Sequence, residues 1–200
     1  IAGSFTGIRQ GGSGAYTPRD NIALLNADGT LDTTFNASVT ITPAGNSYPG
    51  QVECMALQPD GKLLIWGGFS SVISPAPTFS ETLRNSITRL NSDGSVDTTF
   101  EVTFPGFASI YAAAVQADGK IVFSGYFTQV NGIARTGLAR VSSTGVLDAA
   151  FNPVLTQPFC FGLLVQPDQQ IMIWGNFGAV GGVARSGPAR LTSTGALDTT

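Results

Sequence analysis

Leu57-Gln58-Pro59-Asp60-Gly61-Lys62-Leu63-Leu64-Ile65-Trp66-Gly67-Gly68-Phe69 sets a tight turn directly before a strand that is apolar on both faces. Asp60-Gly61 lies between β-rich runs, and Gly61 supplies the positive φ that such turns demand. Leu63 to Trp66 is continuously apolar rather than alternating, so both sides of that strand must be covered. Ile121-Val122-Phe123 follows Asp118-Gly119 in the same way, and Ile171-Met172-Ile173-Trp174 follows Asp168-Gln169. The missing glycine in the last copy predicts a looser turn there.

Working outward, the same order of residues recurs along the whole chain. Leu31-Asp32-Thr33-Thr34-Phe35 returns as Val96-Asp97-Thr98-Thr99-Phe100, as Leu147-Asp148-Ala149-Ala150-Phe151, and as Leu197-Asp198-Thr199-Thr200. A period of about 50 residues marks stacked supersecondary units that share one core. Each unit reads as two hairpins: the one above, then Ile87-Thr88-Arg89-Leu90 turning at Asn91-Ser92-Asp93-Gly94 into a more polar strand from Val96 to Phe100. The expected architecture is all-β, a β-propeller of four-stranded antiparallel blades packed face to face. The chain is read as a single array over 1–200, about 3.5 to 4 blades: a partial blade 1–35, then blades 52–100, 110–151 and 160–200. The first unit lacks its leading strand and the chain opens on Ile1. These features predict a fragment of a larger ring, with a closed four-bladed ring as the other option.

Composition bounds the function classes. With 42% hydrophobic and 12% charged residues the chain is globular. A net charge of -3, with Lys62 and Lys120 the only lysines, offers no basic stripe, so nucleic acid is not an expected partner. No apolar run reaches the roughly 20 residues of a membrane span. Cys54 and Cys160 fall in different repeat columns and are expected as two small buried hydrophobes rather than a disulfide. There is no histidine, so Ser-His and Cys-His nucleophiles and imidazole metal sites are absent.

Several columns recur. Gly67, Gly125 and Gly175 precede Phe69, Phe127 and Phe177 by two residues, and should leave room where another element approaches. Trp66 and Trp174 share a column and read as core or near-core aromatics. Asp32, Asp97, Asp148 and Asp198 form an acidic column, with Arg19, Arg84, Arg135 and Arg185 in one basic column and Arg89, Arg140 and Arg190 in another. The aspartates should accept bonds from an arginine column or from turn amides, a structural role. The spacing Asn26, Asp28, Asp32, repeated at Asn91, Asp93 and Asp97, resembles an oxygen-ligand loop, but Ser142-Thr144 and Thr192-Thr194 replace it later. Turn side chains bonding to local amides explain all four copies, and neither metal nor cofactor is expected.

Leu57 to Lys62, Trp66-Gly67-Gly68-Phe69, Arg135 with Ala139-Arg140, and Leu31 to Phe35 together resemble the delta-60 repeat. The resemblance spans essentially the whole chain. It implies a bacterial or phage-borne β-propeller of large secreted, surface or virion proteins. Leu24 departs from the pattern where the other units carry Arg89, Arg140 and Arg190, and so does Pro188, which cannot donate to a sheet ladder.

The Asp-Gly turns should share one face and the longer connections the other. There Phe5 to Arg19, Phe69 to Arg84 and Phe35 to Val52 carry insertions, and inserted loops on a rigid scaffold are where binding concentrates. Tyr16, Tyr48 and Phe79 are the candidate binding residues, for protein neighbours in a larger assembly or a surface glycan. The expected function is a non-catalytic extracellular, cell-surface or virion-associated scaffold. The alternative is a carbohydrate-active propeller enzyme using paired aspartates.

Overall fold

The turn that opens each central strand closes as its residues require. In the computed structural model, the Gly61 amide donates to the Gln58 carbonyl at 3.0 Å, Gly119 to Gln116 at 2.9 Å, and Gln169 to Gln166 at 2.9 Å. Gln169 takes φ 66°, so the last turn keeps the tight geometry instead of loosening. The cost of a left-handed non-glycine residue, about 1 kcal/mol, is offset by its side chain: Gln169 Oε1 accepts the Ala117 amide of the preceding repeat at 3.2 Å. The structure describes all residues except 12–13, 42–47, 75–79, 107, 158, 186 and 200, and the side chains of 48 and 49.

The chain divides into two compact units, Ile1–Thr98 and Thr99–Thr200. The first holds β1 (Gly7–Arg9), β2 (Tyr16–Pro18), β3 (Ser38–Ile41), β4 (Tyr48–Pro49), β5 (Gln51–Leu57), β6 (Leu63–Gly68), β7 (Ser71–Ile73), β8 (Glu81–Leu83) and β9 (Ile87–Leu90). The second holds β10 (Ser109–Val115), β11 (Ile121–Tyr126), β12 (Gln129–Val130), β13 (Ile133–Ala134), β14 (Leu138–Val141), β15 (Phe159–Val165), β16 (Ile171–Asn176), β17 (Ala179–Val180), β18 (Val183–Ala184) and β19 (Ala189–Leu191). No helix occurs among the described residues.

The blade sheets are β5-β6-β9, β10-β11-β14 and β15-β16-β19, all antiparallel, with the apolar strand in the middle. The expected fourth strand is not a strand. It makes single bridges, Leu25 to Leu31, Leu90 to Val96, Val141 to Leu147 and Leu191 to Leu197, and the chain then turns. The aspartate that follows causes this: Asp32 Oδ1 accepts the Thr34 amide at 2.8 Å and Asp148 Oδ1 the Ala150 amide at 3.2 Å. These bonds satisfy the backbone locally and compete with a ladder. Pro188 shortens β19, which begins at Ala189, whereas β14 extends one pair further through Leu138 opposite Ser124.

The connections are also structured. Between the phenylalanine and arginine columns each copy folds a hairpin arm, β1-β2, β7-β8, β12-β13 and β17-β18. The arm closes at its base by Arg19, Arg84, Arg135 and Arg185 amides donating to the carbonyls of Thr6, Ser70, Thr128 and Gly178. The segment leaving the previous copy lies along the arm: Val39 pairs with Val72 and Leu155 bridges to Val180. All four are buried, giving these two copies a second apolar layer.

Each unit has its own core. In the first, Ile22, Ala2 and Leu24 of the opening copy pack on Val52, Leu63, Ile65 and Met55 of the next. In the second, Val122 and Leu138 pack with Cys160, Ile171, Ile173 and Phe177. Cys54, opposite Trp66 in the sheet, is exposed and free and so departs from the buried place expected of it; Cys160 is free and buried as expected.

The glycine column serves a close approach within its own sheet. A Cβ on Gly125 would lie 2.1 Å from the Ser109 carbonyl oxygen, and one on Gly175 would lie 2.0 Å from that of Phe159. Gly125→Ala should cost about 3 kcal/mol, since backbone must move, while Gly132→Ala, in open space at φ 76°, should cost about 1 kcal/mol from conformation alone. Urea midpoints of the two variants check this.

Candidate functional site

The acidic column carries the strongest electrostatics. Asp97 Oδ2 accepts Arg89 Nε at 2.7 Å and Lys62 Nζ at 2.7 Å, with both Arg89 and Asp97 buried. Asp148 repeats the triad with Arg140 Nε at 3.0 Å and Lys120 Nζ at 3.0 Å, and Asp198 pairs with Arg190 Nε at 2.7 Å. Asp32 faces Leu24 rather than arginine, and its carboxylate is held by the Thr34 hydroxyl at 2.6 Å and the Thr34 amide. The partner is thus the Arg89, Arg140, Arg190 column. The other arginines end the arms: Nη1 of Arg19, Arg84 and Arg135 donates to the carbonyl of Pro18, Leu83 and Ala134, and Arg135 Nη2 to Ala149. Lysine was not read as a member of the triad, although Lys62 and Lys120 stand one residue after their turn glycines.

Burial raises the Asp148 pKa, but the Lys120 ammonium and the Arg140 guanidinium outweigh it, and the net position is below the ordinary carboxylate value. A depressed folded pKa contributes stability that is present above the unfolded value, near ~3.9, and lost as pH falls through the folded one. The residues of the oxygen-ligand spacing form turns: Asp28 Oδ1 accepts the Thr30 amide and hydroxyl, and these bonds lower its pKa. Among the described residues no group of three or more Cys, Asp or Glu is placed to hold a metal ion. Burial pushes the Cys160 thiol up in pKa, which keeps it protonated and inert.

The turn face of the second unit holds a cavity of about 560 Å³. Asp118 and Lys120 come from one turn, Asp168 and Gln169 from the equivalent turn of the next copy, and Ser193 from that copy's second turn, with Arg140 between them. Both turns of a copy therefore share an end, as expected. The polar groups here are largely spent on one another: Arg140 Nη1 donates to Gln116 Oε1 at 3.2 Å and to the Ser193 carbonyl, and its guanidinium lies 4.4 Å from the Phe151 ring centre.

At the opposite end, the first strands carry a feature that sequence reading missed. Each has a bulge at one column, between Val52 and Cys54, Ile110 and Ala112, and Cys160 and Gly162. The extra residues are Glu53, Tyr111 and Phe161. Bulges re-aim side chains and cluster near binding sites. In the second unit the Tyr111 and Phe161 ring centres are 5.9 Å apart and Phe159 lies 6.3 Å from Phe161, with Phe159 and Phe161 exposed. Tyr126, also exposed, pairs with Ser109 at the same end. The signal was available as a non-alternating position opposite the glycine column, but Glu, Tyr and Phe share no type.

Of the expected binding residues, Tyr16 lies on the β1-β2 arm, exposed, its hydroxyl 3.0 Å from Thr6 Oγ1 and its ring 5.8 Å from the Arg9 guanidinium. Tyr48 pairs through its backbone with Ile41; its side chain, and Phe79, lie outside the described residues. Trp66 is 4% exposed, but Trp174 is 46% exposed and so is not the core residue its column suggested.

A family model described as a domain of unknown function (DUF5122) beta-propeller matches residues 1–35, 58–100, 116–151 and 166–200. A solved streptogramin B lyase is similar in fold, with a TM-score of 0.50 and 13% identity over 92% of this chain and 49% of that one. The chain spans about half the length of that structure. No curated protein matches the chain.

Asp97→Asn and Arg89→Gln should each cost about 3 kcal/mol, because each strands a buried charge or donor, and the double variant should cost less than their sum. Arg84→Gln combined with Asp97→Asn should be additive. Unfolding of the five variants checks this. Separately, stability of the protein should fall below about pH 4, and Asp148→Asn should flatten part of that loss in urea titrations run against pH.

Proposed function

Since the chain belongs to the DUF5122 β-propeller family, we propose that it is a non-catalytic β-propeller scaffold that binds a protein neighbour at its long-connection end, in an extracellular, cell-surface or virion assembly. Within this reading 1–200 is one array of about 3.5 to 4 blades of the delta-60 type. The observation that carries it is the aromatic cluster of Tyr111, Phe161 and Phe159, the first two at bulges, on the strands of the second unit at the end where its arms emerge. Rigid, solvent-exposed aromatics are the residues that anchor protein interfaces, since they offer large area at low conformational cost. Tyr16 on its arm, and Tyr48 and Phe79 on the inserted connections, are the further candidates carried by the first unit. A scaffold role is favoured by the recurrent carboxylates, which are engaged by arginine, lysine or their own turn amides. The streptogramin B lyase likeness speaks to fold alone at its identity.

One observation favours a carbohydrate-active enzyme as the second reading: Asp118 and Asp168, from successive copies, line the same turn-face cavity. Each, however, has Oδ1 engaged by an amide two residues on, Lys120 at 3.0 Å and Gln170 at 3.0 Å.

Tyr111→Ser with Phe161→Ser should leave the fold intact and weaken capture of the native assembly partner by at least about tenfold, the loss of one interface anchor. Unchanged capture overturns the interface, and retained protein capture with lost glycan-array signal would move the ligand class to sugar. Polysaccharide cleavage abolished by Asp118→Asn with Asp168→Asn would establish the enzyme reading instead.

A further inference from the structure

The arginine that ends the β12-β13 arm keeps a donor in reserve. Arg135 Nη1 and Nη2 donate to the Ala134 and Ala149 carbonyls at 2.8 and 2.9 Å, while its Nε is buried without a hydrogen-bond partner. An unmet buried donor is costly, and a carboxylate is the acceptor that the planar guanidinium fits. Among the described residues no carboxylate pairs with Arg135. Asp148, the acid nearest to it in sequence, is already taken by Arg140 and Lys120.

A hollow of about 200 Å³ opens beside it, lined by Arg135 and Thr136 at the base of the arm and by Asn152 to Leu155 of the segment that leaves the same copy. The repeat shows which group is missing there. The opening copy carries Asp20 in the column of Thr136, and the second carries Glu101 in the column of Asn152. The third copy has a neutral donor at both positions. An arginine of this column acts on a carboxylate where one is unclaimed: Asp32, which faces Leu24 instead of an arginine, is held below the ordinary carboxylate value chiefly by the Thr34 hydroxyl and amide, and the Arg19 guanidinium adds to the effect. No lysine lines the hollow of the third copy, so its one positive charge is matched by one negative charge.

We propose that the hollow at the base of the β12-β13 arm binds the carboxylate of an acidic side chain from a partner, with Arg135 as its cation and Thr136 and Asn152 as neutral donors beside it. Pro153, Val154 and Leu155, which line the rest of the hollow, give the methylene stem of that side chain an apolar wall. The site rests on the arm and its arginine and not on the aromatic cluster, so unchanged capture by the Tyr111 and Phe161 variant leaves it standing.

The test titrates acetyl-glutamate methylamide, a blocked glutamate, into the isotope-labelled protein and follows it by NMR, with the matching glutamine compound and inorganic phosphate as the other probes. The Arg135 Nε–H signal, assigned by its absence in Arg135→Lys, and the Asn152 side-chain amide signals should shift saturably with the blocked glutamate, at about tenfold lower concentration than with the glutamine compound. Asn152→Glu, which restores the acid of the Glu101 column, should displace the Arg135 Nε–H signal with no ligand present and abolish the titration, while Asn152→Gln retains it. Signals that do not move, equal shifts with the two compounds, or a titration that survives Asn152→Glu overturns the proposal. Saturation by inorganic phosphate at a lower concentration than by the blocked glutamate also overturns it, and makes the hollow a phosphate site.

Discussion

The middle strand of each copy sets the terms for the rest. β6, β11 and β16 are hydrogen-bonded along both edges and apolar on both faces. Such a strand calls for cover on both faces, and a single sheet cannot supply two covers. The opening copy packing on the next in the first unit, and β10-β11-β14 packing against β15-β16-β19 in the second, are the same solution used twice. Close packing then requires the glycine column, which lets the bulged first strand cross the middle one, and the bulge in turn decides which side chains reach the end of the sheet.

Polar chemistry is confined to the ends of this apolar slab and differs between them. At the turn end, carboxylates are neutralised by arginine and lysine within the repeat. A buried ion pair contributes order more dependably than net stability, and the opening copy shows a substitute: Leu24 joins the apolar cluster and Asp32 turns to the Thr34 hydroxyl and amide. At the other end of the second unit, Ile133 and Val183 of the arms and the rings of Phe159 and Phe161 are exposed. That contrast between a self-satisfied end and an end with exposed aromatics underlies the functional reading.

Much of this was legible in the sequence because the repeat multiplies each signal. The Asp-Gly turns, the doubly covered strand and the shortening at Pro188 came from residue type and spacing; that the aspartates would be bound by arginine or by turn amides was legible too, but not that the arginines would be Arg89, Arg140 and Arg190 rather than the Arg84, Arg135 and Arg185 column. Other features depend on what sequence columns do not encode. Leu-Asp-Thr-Thr-Phe has strand composition, but the aspartate carboxylate captures the amide two residues on and bends the chain. Trp66 and Trp174 occupy one column, yet the first is buried and the second exposed, a difference that residue type does not encode. Gln169 keeps a glycine's conformation through a side-chain bond to the adjacent turn, a contact between copies. The bulge residues Glu53, Tyr111 and Phe161 differ in kind, so only the backbone reveals that they are equivalent.

Native-state hydrogen exchange tests the central role of the doubly covered strand most directly. The amides of Ile121 to Ser124 in β11 should exchange more slowly than any others in the second unit, at the rate of its global unfolding, while those of the β12-β13 arm exchange faster through local opening. Amides of β11 that exchange as fast as the arm would contradict the account.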